Sequence, residues 1–356
     1  MIGYDEVKLR LGGIRHLLQG WLFPQLEEDI GELDEKDRLV VEVMAMFDAA
    51  PLLAGLGWCG NGKPPYDKVA IFNALIMKAV RNLPTTKELV AVLNASGKYR
   101  ALCGFKSRVP SESTFSRTFA QFTGMKLGEE GLKQIVGEKL KGAVAFHGMI
   151  DSTEIVARER PATRELESGV RCPGEREAPR LRVQAGRTLE ENLADLPAEC
   201  AVGCKRNSKG NIEKWTGFKA HVLCIDGDIP VAFIVTSANL HDSQAAIPLA
   251  QMAAGRVRTL YTLADAAYDA GKIEDFERSL GHVPVIDHNQ RRGKPVEMPP
   301  DRTERYKARS GIERVNSHLK DAHGGNCVWV RGCEKVAFHL SLGLLVIAVE
   351  QILKLA

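Results

Sequence analysis

The stretch GFKAHVLCIDGDIPVAFIVTSANLHD, residues 217–242, narrows the folds open to this chain more than any other. Two apolar runs rich in Val, Ile and Phe flank Asp226-Gly227-Asp228, and β-formers on both sides of so tight a turn read as a hairpin. Upstream, AVAFHGMIDSTEI reads as a further apolar strand that ends in an acid, Asp151. Downstream, SQAAIPLAQMAAG reads as a helix capped by Ser243, TLYTLADAAYD as a strand ending in Asp265, GKIEDFERSLG as a helix, HVPVIDHN as a strand and YKARSGIERVNSHLK as one long helix. Antiparallel strands followed by strands that alternate with helices predict an α/β fold, a mixed sheet with helices on its faces.

The chain before this region has helical periodicity. Residues 1–62 form a partly helical N-terminal segment that ends in the turn-rich CGNGKPPY. Residues 63–140 carry the helices DKVAIFNALIMKAVRNLP, TTKELVAVLNASGKYRALCGF and PSESTFSRTFAQF, with Thr85 and Glu88 as a capping box, then a helix near Met125–Leu140. The third opens with Ser113, Thr114 and Arg117, which a helix-turn-helix would lay on DNA; a plain helical bundle explains the pattern equally well. Residues 141–356 form the α/β domain, interrupted at about 158–214 by a stretch rich in Arg, Glu, Pro and Gly that reads as irregular.

Bulk composition excludes little. The 356 residues are 44% hydrophobic and 26% charged with a net charge of +3, a soluble, mildly basic balance that permits nucleic acid binding without demanding it. The most apolar run, LSLGLLVIAVEQILKLA, is broken by Glu350, Gln351 and Lys354 and reads as a core helix rather than a membrane span. MIGYDEVKLR lacks the pattern of a signal peptide, so a cytoplasmic, nucleoid-associated protein is expected. Eight scattered cysteines suit reduced thiols; Cys172, Cys200, Cys204 and His221 give only a weak zinc pattern. Trp215 and Trp329 read as buried aromatics, with base stacking as the other possibility.

The helix 306–320 is unusual. Tyr306, Arg309, Glu313, Asn316 and Lys320 share one face at period 3.6, beside an apolar stripe of Ala308, Ile312, Val315 and Leu319. A solvated face of ion pairs is one reading. The other brings Glu313 to the strand-end acids Asp151 and Asp265, with Asp269 as a rival for the second position. Three converging carboxylates repel one another unless a cation joins them, and an Asp, Asp, Glu set suits one or two Mg²⁺ ions. Two such ions serve phosphoryl transfer. Arg309 and Lys320 then hold phosphates beside the scissile bond, and Tyr306 hydrogen-bonds one.

This stripe, Y-x2-R-x3-E-x6-K, resembles the signature of bacterial insertion-sequence DDE transposases of the four/five superfamily. IDST around Asp151, the 217–242 hairpin and LADAAYDA resemble the same family, as does PPYDKVAIFNALIMKAVRNLPTTKELVAVL through PSESTFSR. The resemblance implies an RNase H-like fold with Asp151, Asp265 and Glu313 as catalytic metal ligands for two Mg²⁺ ions, with Mn²⁺ able to substitute. DNA contacts are expected at Tyr306, Arg309, Asn316 and Lys320 of the stripe, at the basic residues Lys205 and Lys219, and at Ser113 and Arg117 of the helical region. Expected partners are double-stranded DNA, as terminal inverted repeats and target, and a second copy of the chain. A hydrolytic nuclease of that fold and a domesticated DNA-binding protein are the alternatives.

Overall fold

A computed structural model describes all residues except 1, 58–59, 61–63, 107, 163–179, 207–209 and 290–296. The chain divides into two compact units, one made of Met1–Gly142, His318–Trp329 and Glu334–Ala356, the other of Ala143–Ser317 and Val330–Cys333. The sequence placed all of 141–356 in one domain. The contacts group its last helix with the N-terminal helices.

The first unit is helical. Its helices include Ile2–Leu17, Phe23–Ile30, Glu35–Met46, Lys68–Val80, Thr86–Ala95, Gly97–Cys103, Glu112–Gly124 and Leu127–Lys139. Thr85 caps its helix through the Glu88 N–H, but the Glu88 carboxylate accepts from the Thr85 hydroxyl, so only half of the expected box forms. Helix Cys333–Lys354 packs within this unit: Phe338 meets Phe119 and Phe122 edge to face, and a Cβ on Gly128 would collide with Ser341. Among the described residues this helix is long and apolar enough to cross a membrane, yet most of it is buried, as a core helix is.

The second unit is built on a mixed sheet. Strands β1 (Val144–Ala157), β2 (Ala201–Arg206), β3 (Ile212–Ile225), β4 (Ile229–Ser237), β5 (Arg258–Ala264) and β6 (Val283–Ile286) follow in chain order. β1 pairs antiparallel with β3 on one side and parallel with β5 on the other, and β6 lies parallel to β5. The far edge of β3 is shared, with β2 along its first half and β4 along its second. The β3–β4 hairpin is the expected one, and its turn residue Asp228 sits at φ 60. β1 and β3 approach so closely at Gly217 (φ +151) that a Cβ there would lie 2.1 Å from the Ile155 carbonyl oxygen.

Four local expectations are corrected. β1 does not end at Asp151; pairing with β3 carries it to Ala157. The helix after β4, Ser243–Ala254, has Asp242 rather than Ser243 at its cap position, and Asp242 gives its carboxylate to Lys219 instead. The stretch 306–320 is not one helix: Pro300–Tyr306 runs into a 3-10 turn, Lys307–Arg309, before Ser310–Ala322. The interruption lets Gly311 press on the sheet, where a Cβ would meet Asp228 Oδ1 at 2.8 Å and Met149 Sδ at 3.0 Å. Finally, the segment read as irregular holds regular elements among its described residues: two short helices and strand β2. Helices Leu181–Gln184 and Leu189–Ala194 dock through buried polar groups: Gln184 Nε2 donates to the Gln244 carbonyl at 2.7 Å, and Asn192 Nδ2 to Gln251 Oε1 at 2.9 Å. Residues 163–179, with Cys172, lie outside the described residues.

Candidate active site

The register of β1 and β5 puts two acids side by side. Ile150 pairs with Ala264 in the parallel ladder, so Asp151 and Asp265 are the next residue on each strand. Parallel neighbours in register point to the same face. β5 stops at Ala264 and Asp265 caps the following turn, its Oδ1 accepting from the Ala267 N–H at 2.9 Å. Asp269, the rival, points elsewhere: its Oδ2 accepts from the Asn289 N–H at 2.8 Å and lies 3.1 Å from His288 Nδ1.

The third acid arrives on helix Ser310–Ala322. That helix is tied to the hairpin turn by Arg314, whose Nε and Nη2 donate to the two Asp228 carboxylate oxygens at 2.7 and 2.8 Å. Sequence reasoning missed this bidentate pair, because it joins a turn and a helix 86 residues apart. Arg309 links all three acids. Its Nη1 donates to Glu313 Oε1 at 2.7 Å, and its Nη2 lies 3.4 Å from Asp151 Oδ1 and 3.9 Å from Asp265 Oδ2. Three carboxylates therefore surround one cation position.

One guanidinium does not neutralise three acids. Burial pushes the Asp151 carboxyl up to about 6 against the pull of Arg309, and the Asp265 charge raises it further. Asp265 is also raised, again chiefly by burial. Asn316, read from the sequence as a DNA contact on the polar face, is instead buried and donates to Asp151 Oδ2 at 3.4 Å. Tyr306 is half-buried, and desolvation pushes its phenol up to about 12, so it remains a donor at neutral pH. Tyr268, inside the LADAAYDA motif, is fully buried beneath the acids with no hydrogen-bond partner for its hydroxyl among the described residues. Only the motif itself signalled that tyrosine.

The remaining sequence candidates are dispersed. The Lys219 ammonium donates to the Leu240 carbonyl and to Asp242 Oδ1, both at 2.8 Å, and is nearly buried. It supports the site from beneath. Lys205 stands at the surface of β2, 2.9 Å from Glu154. Ser113 and Arg117 are exposed on helix Glu112–Gly124, with the Arg117 Nε donating to the Ser113 carbonyl at 3.3 Å. Lys320 is half-buried on the helix that carries Glu313. Trp215 is fixed by its Nε1, which donates to the Phe218 carbonyl at 3.1 Å, whereas Trp329 is 45% exposed rather than buried. Among the described residues His221 pairs with Thr236, its Nε2 lying 2.9 Å from Oγ1.

Asp151 within β1, Asp265 just past the end of β5 and Glu313 on a helix lie around one cation and offer hard oxygen donors of the kind that divalent metals take. Comparison with family models is specific: the Transposase DDE domain matches residues 147–348, and the Transposase domain (DUF772) matches residues 28–121. The first covers more than half of the chain, which thus belongs to the DDE transposases, metal-dependent phosphoryl-transfer enzymes that cut and join DNA. Neither the curated proteins nor the solved structures compared with it gave a match.

Proposed function

We propose that this transposase cuts at the ends of its own insertion sequence and joins the freed 3′ hydroxyls to target DNA, with Asp151, Asp265 and Glu313 holding two Mg²⁺ ions. The observation that carries the reading is the single guanidinium shared by these acids, since residues that converge on one cation also suit a metal. The donor set fits: all are carboxylate oxygens, and Glu313 is exposed enough to swing. When bound, the ions supply Lewis acidity and neutralise charge on the phosphate. Mn²⁺ would serve in the same donor set.

The chain's own residues do the rest. Arg309, released from the acids, turns its fork onto a phosphate, where two parallel N–H bonds fix orientation. Tyr306 donates its phenolic hydrogen to a neighbouring phosphate oxygen. Asn316 holds Asp151 in place. Lys205 and Lys320 neutralise backbone phosphates, and Ser113 and Arg117 contact DNA from the helical unit. The strand order β4-β3-β1-β5-β6, with β3 alone antiparallel to its neighbours β1 and β4, supports an RNase H-like fold for the second unit. An element has two ends and one triad serves one, so a dimer on DNA is the smallest working assembly.

The test separates binding from chemistry. Asp151→Asn, Asp265→Asn and Glu313→Gln should each bind terminal inverted repeats in a gel shift yet fail to cut them with Mg²⁺ or Mn²⁺. Asp269→Asn should still cut. A cleaving Asp265→Asn beside a dead Asp269→Asn would reassign the second acid, and cleavage by all of them would remove the triad.

A further inference from the structure

Away from the acids, the helical unit holds a second cluster. His318 near the end of helix Ser310–Ala322, His323 just beyond it and Glu350 on helix Cys333–Lys354 offer ligand atoms that all lie within 4.8 Å of one another. We propose that these residues form a structural site for a transition-metal dication of the zinc type. Two imidazoles with one carboxylate are a common zinc donor set and a poor one for Mg²⁺.

His323 is the strongest evidence. It is 3% exposed, and its Nδ1 is 3.1 Å from the Ala79 carbonyl oxygen. A bond donated there fixes the tautomer and aims the Nε2 lone pair into the cluster, the arrangement that orients metal-ligating histidines. That Nε2 is buried with no hydrogen-bond partner among the described residues. A buried acceptor left unpaired is costly, and a metal bond removes that cost.

Glu350 repeats the pattern. One oxygen, Oε1, accepts from Lys354 Nζ at 2.8 Å, while the other, Oε2, is buried without a hydrogen-bond partner among the described residues. It lies 3.6 Å from His318 Nε2, too far for a hydrogen bond. The two imidazole rings lie 4.8 Å apart, tilted rather than stacked. Bonds of about 2.0–2.1 Å in a tetrahedral site put ligand atoms about 3.3 Å apart. Only a modest contraction is needed, and the partly exposed His318 and Glu350 are free to make it. Solvent would take the fourth position from the His318 side. Such a clamp would pin the end of the helix that carries Glu313 to the C-terminal helix.

The experiment uses the full chain carrying Asp151→Asn, Asp265→Asn and Glu313→Gln, so that the catalytic acids contribute no ligand and the result does not depend on their role. After chelation and dialysis, the protein is titrated with Zn²⁺ by calorimetry and with Co²⁺ by visible absorption. One Zn²⁺ per chain, a rise in Tm and the intense d–d bands of tetrahedral Co²⁺ are expected. Adding His318→Ala or Glu350→Gln should weaken Zn²⁺ binding by at least the roughly 10–100-fold that loss of an outer-shell partner costs a metal site. Both residues are partly exposed, and far-UV circular dichroism would verify folding. Zn²⁺ affinity that is unchanged in both variants, or a parent that binds no Zn²⁺, would overturn the proposal.

Discussion

Asp151 pays for its position with a carboxyl pushed up to about 6, and the sign of that shift is informative. A folded-state value above the unfolded one means that the native state takes up a proton as pH falls, so the charged form destabilises the metal-free fold at neutral pH. Asp151→Asn should stabilise the chain in EDTA by about 1–3 kcal/mol at pH 7.5, and the gain should shrink as pH falls below about 6. Urea unfolding at pH 7.5 and pH 5 reads this directly; equal stability of the two proteins at pH 7.5 would refute it. His221 works in the opposite direction. Complete burial brings its imidazole down to about 4, with Nε2 held 2.9 Å from Thr236 Oγ1. Here the unfolded chain binds the proton first, so stability drops as pH falls from about 6.5 toward 4, by about 1.4 kcal/mol per unit for one such group. His221→Gln should flatten that slope by about one proton. An unchanged slope would mean that the burial is not maintained in solution.

At the scale of elements, the β1–β3 ladder carries Asp151. Asp151 pairs across it with Val222, and Gly217 closes its far end against Val156. Gly217→Ala would force a Cβ onto the Ile155 carbonyl at a φ that side chains avoid, and should cost about 3 kcal/mol or more. Thermal unfolding would measure it; a loss below about 1 kcal/mol would show that the strands can part without harm. The hairpin was legible because its signal is local, a tight turn between two β-forming runs. The extent of β1 was not, because a strand lasts as long as its partner, and β3 lies some seventy residues away in sequence. Nor was the 3-10 turn at Lys307–Arg309, which follows from seating Gly311 on Met149 and Asp228. The helices after Leu181 were missed for a related reason. Their anchors are amide hydrogen bonds to helix Ser243–Ala254, which composition does not register.

The whole molecule is not cut where the sequence changes character. Helix Cys333–Lys354 groups with residues Met1–Gly142, and its apolar side is covered by Phe119, Phe122 and the close approach at Gly128. A fragment spanning 143–356 would leave that side bare, a patch beyond what a soluble monomer carries. Such a fragment should aggregate or bind a hydrophobic dye, whereas co-expression with residues 1–142 should restore a soluble complex. A monodisperse fragment by light scattering would show that the helix finds other cover.

The sequence by itself made legible β1, the hairpin, the alternation of helices and strands that follows it and the stripe that carries Arg309 and Glu313, and it offered Asp151, Asp265 and Glu313 as candidate acids, because each rests on short-range periodicity or a compact motif. Tertiary structure alone decided that Arg309 sits among the acids, that Lys219 is buried against Asp242, that Arg314 grips Asp228, and that the C-terminal helix joins the N-terminal unit. Those are contacts between distant residues. Their energy depends on burial and on the distance between charges, and neither quantity exists until the chain has packed.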